Sequence, residues 1–269
     1  MSSLHHIMSG RARLAAEVAG RGDPVVFLHA AVFDRSMWRA QMVGIAKTHT
    51  AIAYDRRGFG ETVADGKDHS PVADLLAVID ALAEGGPATL VACSQGGRIA
   101  FDFALRYPSR VNALVLIAPS ISGAPEPVYP PAIEALMAAL AAAESARDWD
   151  RVSSIKAHLW VDGPLQREGR VSGGLRQMFL EKNAAALRAP AAGANLDVTA
   201  AFAQLGDIAA PSRVIWGDLD FPHIQERSRL IAAEMPNGSG HELTGTAHLP
   251  SLERPHEVTE LIAGFLAGS

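Results

Sequence analysis

A single cysteine, Cys93, stands in 269 residues, so no disulfide can form within the chain, and a reducing, cytoplasmic setting is expected. No apolar run approaches the roughly 18 residues needed to span a bilayer. Positive charge is in deficit, with 24 Lys and Arg against 29 Asp and Glu and a net charge of −5. A chain of that sign is not built to hold nucleic acid or an anionic membrane. The opening residues, from Met1 to Gly10, lack the basic and apolar stretches of a secretory signal. They read as an unstructured leader, with Met8 as an alternative start. A phosphate-binding loop is absent as well. Gly58 and Gly60 are not followed by a third glycine (position 63 is Val63), and Lys67 precedes Asp68 where Ser or Thr is required. Asp55-Arg56-Arg57-Gly58-Phe59-Gly60 is therefore read as a structural turn.

What is present is a globular composition, 48% hydrophobic and 20% charged, on a length that suits one α/β domain carrying an insertion. Arg11 to Val18 alternates imperfectly and predicts an early antiparallel strand. Val25 to His29, Thr50 to Tyr54, Ala88 to Cys93 and Ala113 to Ile117 are short apolar runs of buried-strand type. Helical spacing separates them, around Trp38 to Ile45, from Asp74 to Ala83, and from Ser94 to about Tyr107. Such alternation implies a mainly parallel sheet covered on both faces, with reactive groups at the carboxyl ends of its strands. After Pro119 the pattern changes. Pro125, Pro127, Pro130 and Pro131 interrupt it, and three helical segments follow, about Ala132 to Ala146, Trp149 to Trp160 and Ser172 to Leu187. Strand character returns only after Pro211, in Arg213 to Gly217, and the chain ends in an amphipathic helix.

The most informative stretch is Leu90-Val91-Ala92-Cys93-Ser94-Gln95-Gly96-Gly97. A β-prone run meets a serine, and a helical pattern follows at once through Ile99, Ala100 and Phe103. A turn this sharp strains the apical residue, and the residues two positions away must be tiny; here they are Ala92 and Gly96. Alone, the pattern is also compatible with a plain helix cap. Two further segments decide between these readings. Asp218-Leu219-Asp220 follows the strand ending at Gly217, and Thr246-Ala247-His248-Leu249-Pro250 precedes Glu253-Arg254-Pro255. The order Ser94, Asp220, His248 resembles that of the α/β-hydrolases. The strand, elbow and tail motifs resemble the family's G-x-S-x-G, G-x-x-D and A-x-H-x-P-x-x-E-x-P patterns, with alanine replacing the first elbow glycine.

That resemblance implies an α/β-hydrolase fold with a mostly parallel sheet. It implies a core in two parts, residues 1–123 and 211–269, and an inserted helical cap over residues 124–210. The implied nucleophile is Ser94, with His248 as its base and Asp220 orienting the imidazole. Asp220 is preferred to Asp218, whose short carboxylate suits a turn. Val25-Val26-Phe27-Leu28-His29-Ala30-Ala31 resembles the family's strand ending in His-Gly-x, which implies oxyanion-hole N–H donors on Ala31 and Gln95. Ala30 departs from that pattern, and a positive φ there would strain it. His29 is read as a loop-holding residue, and Cys93 as a small buried hydrophobe at the strand end. Trp160, where Gly163 and Pro164 end a helix, is the candidate substrate wall, with Met137 and Phe221 beside it.

The implied reaction is hydrolysis of a small-molecule ester or lactone through an acyl-enzyme, with no metal and no cofactor. The branch resembled includes 3-oxoadipate enol-lactonases and serine-type N-acyl homoserine lactone hydrolases. A serine in place of an aspartate disfavours dehalogenase and epoxide-hydrolase chemistry, and no H-x-H-x-D-H cluster supports a metal-dependent lactonase. Perhydrolase, hydroxynitrile-lyase or carbon–carbon bond hydrolase chemistry, and a ligand-binding receptor on the same fold, remain open alternatives.

Overall fold

The structure, a computed structural model, describes residues 2–190 and 192–268. Among them, eight strands form one sheet: β1 (Ser3–Ser9), β2 (Ala12–Ala19), β3 (Pro24–Leu28), β4 (Thr50–Tyr54), β5 (Ala88–Cys93), β6 (Val111–Ile117), β7 (Ser212–Gly217) and β8 (Gly238–Leu243). Their order is β1-β2-β4-β3-β5-β6-β7-β8. The β1–β2 and β2–β4 pairs are antiparallel and every later pair is parallel. The helices are α1 (Arg39–Ile45), α2 (Pro71–Leu82), α3 (Gln95–Arg106), α4 (Pro131–Ala146), α5 (Trp149–Ala157), α6 (Gly174–Arg188), α7 (Pro222–Glu234), α8 (Pro250–Glu253) and α9 (Pro255–Leu266).

β5 explains why the chain layers as it does. All six of its residues are buried, and successive side chains point to opposite faces. Leu90 and Ala92 join a core with α2 and α3, through Leu75, Val78, Ile79, Ala100 and Phe103. Val91 and Cys93 join the opposite core with α1 and α9, through Met42, Ile45, Val258 and Ile262. A strand buried on both faces carries no polar alternation, which is why it reads as a continuous apolar run. A third apolar cluster joins Ile133, Leu140, Val152, Ile155 and Leu159, from the helices between β6 and β7, to Phe221 and Ile224.

Three elements depart from expectation. Ser3–Ser9 is not a leader but a strand, pairing with β2 from Ser3 opposite Val18 to Ser9 opposite Ala12. Its side chains give no signal, since only Ile7 and Ser9 are buried; what holds it is the backbone ladder and the turn at Gly10, whose φ of 55° suits glycine. β8 was equally silent. It is an edge strand of sequence GSGHEL with one buried residue, Leu243. The third is α7, which connects β7 to β8 and carries buried Ile224, Ser228 and Ile231. Ala30 does not adopt a positive φ, so the alanine that replaces the family's glycine is unstrained.

At the elbow, Ser94 has φ 50° and ψ −116°, a conformation that is costly for a residue with a Cβ. The surroundings impose it. The Ser94 N–H donates to the Ile117 carbonyl at 3.0 Å, and the Ser94 carbonyl accepts from Gly97 at 2.8 Å and Ser120 at 3.0 Å. A Cβ on Gly96 would stand 2.4 Å from the Leu28 carbonyl oxygen of β3. We expect Gly96→Ala to cost about 1–3 kcal/mol through overpacking and to lower Tm by roughly 3–10 °C. Calorimetry showing an unchanged Tm would contradict this account of the elbow.

Candidate active site

Ser94, His248 and Asp220 come from three different strand ends and meet at the carboxyl edge of the sheet. The Ser94 Oγ lies 2.9 Å from His248 Nε2, and His248 Nδ1 lies 2.8 Å from Asp220 Oδ2. A carboxylate only accepts, so Asp220 fixes the proton on Nδ1 and leaves Nε2 to accept from the serine hydroxyl. The second Asp220 oxygen accepts the Phe221 N–H at 2.7 Å. Both Asp220 and His248 are buried. Asp218 is committed elsewhere: its Oδ1 accepts the Gly245 N–H at 2.6 Å, which ties the β7 turn to the loop carrying His248.

One glycine and one glutamate set that loop. A Cβ on Gly217 would stand 2.1 Å from the Thr246 carbonyl oxygen, so only glycine lets the end of β7 lie against the histidine loop. Glu253 accepts the Ala247 N–H at 2.7 Å and pairs with Arg170 at 2.6 Å. Burial pushes the Glu253 carboxyl up, against the pull of these two donors. Arg170 also donates to the Gly245 carbonyl at 3.1 Å and to the Val161 carbonyl at 2.8 Å. The segment between β6 and β7 is thereby joined to the histidine loop.

A cavity of about 560 Å³ opens above Ser94 and His248. Ala31, Trp160, Met137 and Phe221 all line it. The Ala31 and Gln95 N–H groups make no hydrogen bond among the described residues. Trp160 sits in a π-helical turn, His158–Asp162, which ends at Gly163 with φ 97°; Lys156 Nζ stands 6.0 Å from the centroid of its ring. A larger cleft of about 1030 Å³ adjoins this cavity across Val32, Phe59 and Ala186, but neither Ser94 nor His248 faces it. Ser94 and His248 both face the smaller cavity. Cys93 is fully buried and its thiol is pushed up by burial, so it offers no thiolate.

A family model described as the alpha/beta hydrolase family matches residues 25–261. The chain belongs to that family. Like other members it carries the strand–elbow–helix unit and the parallel sheet just described. It is similar to the pimeloyl-[acyl-carrier protein] methyl ester esterase of Chromobacterium violaceum, with 28% identity over 94% of this chain and 98% of that protein. It is also similar to the 2-hydroxy-6-oxo-2,4-heptadienoate hydrolase of Pseudomonas putida, with 35% identity over 41% of this chain; that match spans 42% of the relative's length. Among solved structures, a thermophilic esterase from Thermogutta terrifontis superposes with a TM-score of 0.76 at 25% identity, covering 99% of this chain and 98% of the other. An N-acyl homoserine lactone degrading enzyme shares the fold, with a TM-score of 0.78 at 24% identity over 97% of this chain and 100% of its counterpart.

Sequence reasoning missed His223 and Tyr129, which also line the cavity. His223 lies three residues beyond Asp220, at the start of α7, and that proximity was the available signal. Its ring packs edge-on against Phe221 at 5.4 Å and Tyr129 at 5.5 Å, and its buried Nδ1 has no partner among the described residues. Burial, with Arg227 nearby, pushes this imidazole down to about 4. His29 is likewise held well below the usual imidazole value, by burial and by Arg56. In the unfolded chain both titrate at about 6.5, so below that pH the unfolded state binds more protons than the folded one, for His223 over the window from about 6.5 to about 4. Their contribution to stability is complete above that window and falls as the pH drops through it. Urea midpoints at pH 7 and pH 4.5 should therefore differ less for His223→Gln than for the native protein. An identical loss in both would contradict the neutral, buried imidazole.

Proposed function

We propose that the protein is a serine hydrolase of carboxylic esters or lactones working through an acyl-enzyme. The observation that carries this reading is the Ser94–His248–Asp220 hydrogen-bond chain lying below a cavity lined by Ala31, with the N–H groups of Ala31 and Gln95 unengaged among the described residues. The similarity to ester hydrolases across nearly the whole chain supports it.

In this reading Ser94 Oγ attacks the carbonyl carbon as His248 Nε2 takes its proton. Asp220 holds the imidazole in the required tautomer and stabilises its cationic form. The oxyanion accepts from the N–H groups of Ala31 and Gln95. Collapse breaks the carbon–oxygen bond, and the imidazolium returns the proton to the leaving oxygen. Water then repeats the attack on the acyl-enzyme, releasing the acid and restoring Ser94. Residues 124–210 act as a cap, and Trp160, Met137 and Phe221 shape the substrate. The small molecule is the only partner this mechanism requires, with no cofactor.

One observation favours a second reading. The similarity to a dienoate hydrolase fits water attack on a ketone carbonyl and cleavage of a carbon–carbon bond. A panel pairing p-nitrophenyl esters and lactones with vinylogous 1,5-diketone acids separates the two, since only an esterase turns over the former rapidly.

Ser94→Ala should lose at least ~10³-fold in kcat on p-nitrophenyl butyrate with its circular dichroism unchanged. Asp220→Asn should lose up to ~10⁴-fold, because the amide favours the wrong tautomer, and Asp218→Asn far less. A crippled Asp218→Asn beside a nearly normal Asp220→Asn would overturn the assignment of the acid.

Trp160→Ala should reorder a series of esters of increasing chain length while leaving the rate of Ser94 labelling by a small fluorophosphonate within about 3-fold, since truncating the wall changes transition-state contacts with the substrate and not the nucleophile. Equal losses on every ester and on the phosphonate would show that Trp160 serves folding instead.

A further inference from the structure

Arg56 follows β4 and Asp55, and at 8% exposure it is buried. It makes no ion pair among the described residues. Removing a guanidinium from water without a carboxylate partner is unfavourable, and burial pulls this one down to about 10, still charged at neutral pH. Its neighbour Arg57 differs sharply: it pairs with Asp74 through two bonds of 2.8 Å. Fold stability accounts for Arg57 but not for Arg56.

The contacts of Arg56 converge on the Gln95 side chain and on the carbonyl of the Ala30–Ala31 peptide. Nη1 donates to Gln95 Oε1 at 2.8 Å, and Nη2 donates to the Ala30 carbonyl at 3.1 Å. The backbone N–H of Arg56 donates to His29 Nε2 at 3.0 Å. That bond makes Nε2 the acceptor and leaves Nδ1–H of the neutral ring to donate to the same Ala30 carbonyl, at 2.8 Å. The Phe33 N–H adds a third donor at 3.2 Å. In a trans peptide the carbonyl and the following N–H point in opposite directions. Anchoring the Ala30 carbonyl towards Arg56 therefore turns the Ala31 N–H the other way, and Ala31 lines the cavity that holds Ser94. Donors on the carbonyl also polarise the peptide and strengthen its N–H as a donor. Phe59 closes the unit, with its ring 4.8 Å from the Arg56 guanidinium carbon and 5.0 Å from the His29 ring.

We propose that Arg56 is a positioning residue for ester or lactone hydrolysis, tying the Ala30–Ala31 peptide and Gln95 into one rigid oxyanion-binding unit and setting an uncompensated positive charge behind it. The proposal rests on the reading of Ser94 as nucleophile. A charge without a counterion, in a region of low dielectric, favours a state in which an oxyanion forms nearby. It acts on the transition state more than on the neutral substrate, so it acts on kcat more than on KM.

The test compares Arg56→Met and Arg56→Lys with the native enzyme and with Ser94→Ala. The readouts are p-nitrophenyl acetate kinetics, inhibition by phenylboronic acid as a tetrahedral adduct former, and Tm. Arg56→Met should lower kcat about 10–100-fold and weaken phenylboronic acid by a similar factor, with KM within about 3-fold, somewhat less than removing a direct oxyanion donor. Its Tm should hold or rise, since an apolar chain of similar length replaces a buried unpaired charge. Arg56→Lys keeps the charge and loses the fork, so its kcat should lie between the two. If Arg56→Met does not fold, a lowered kcat and boronate affinity at unchanged KM and Tm in Arg56→Lys supports the proposal, and native values for both overturn it. A normal kcat and boronate affinity in folded Arg56→Met, beside an inactive Ser94→Ala, overturns the role of Arg56 alone. An active Ser94→Ala overturns the serine reading and the role of Arg56 with it.

Discussion

The contact between Gly96 and the Leu28 carbonyl of β3 is the constraint on which the rest of this molecule depends. A Cβ there would stand 2.4 Å from that oxygen, so α3 approaches the sheet closely only because the side chain is missing. That approach leaves too little chain between β5 and α3 for a relaxed turn, and Ser94 takes φ 50°. The strained residue is over-determined by hydrogen bonds to Ile117, Gly97 and Ser120, which is how a folded chain keeps a conformation it would otherwise avoid. The hydroxyl is thereby raised to the edge of the sheet, and the N–H of Gln95 lies at the start of α3 with no carbonyl to receive it.

The parallel register carries this geometry outward. β5 is hydrogen-bonded between β3 and β6, and β7 follows β6. The loops after β3, β5 and β7 therefore emerge side by side, bringing Ala31, Ser94 and Asp220 to one rim. His248 arrives from beyond β8, and its approach depends on a second missing side chain, at Gly217, against the Thr246 carbonyl. Two glycines far apart in sequence thus do related work, each letting one segment of backbone touch another.

The segment between β6 and β7 is bound to the loop carrying His248 by polar contacts as well as by packing. Arg170 links the carbonyls of Val161 and Gly245 to Glu253, and Glu253 holds the residue before His248. The turn that carries Trp160 and the loop that carries the imidazole therefore share one partly buried ion pair. Breaking the pair would leave the mostly covered Glu253 carboxylate without its partner, so these two parts are expected to move together rather than independently.

Much of this was legible along the chain. β4 and β5 begin and end where their apolar runs do, since strands buried on both faces announce themselves by composition alone. The elbow was legible because sterics demand small residues at fixed offsets from Ser94. β1 and β8 were not, because edge strands are held by backbone hydrogen bonds, which leave no trace in side-chain pattern. Residue order alone brought Ser94, Asp220 and His248 into consideration together. Which of Asp218 and Asp220 faces the imidazole was decided by the turn after Gly217, which commits Asp218 to the Gly245 N–H and leaves Asp220 2.8 Å from His248. Arg56 was read only as part of a turn. Its relation to Ala30 and Gln95 spans 26 and 39 positions of sequence, and a hydrogen bond across such distances exists only once the sheet has closed. Local sterics and burial are written in the residue types, whereas the partner of a buried charge is a property of the packed chain.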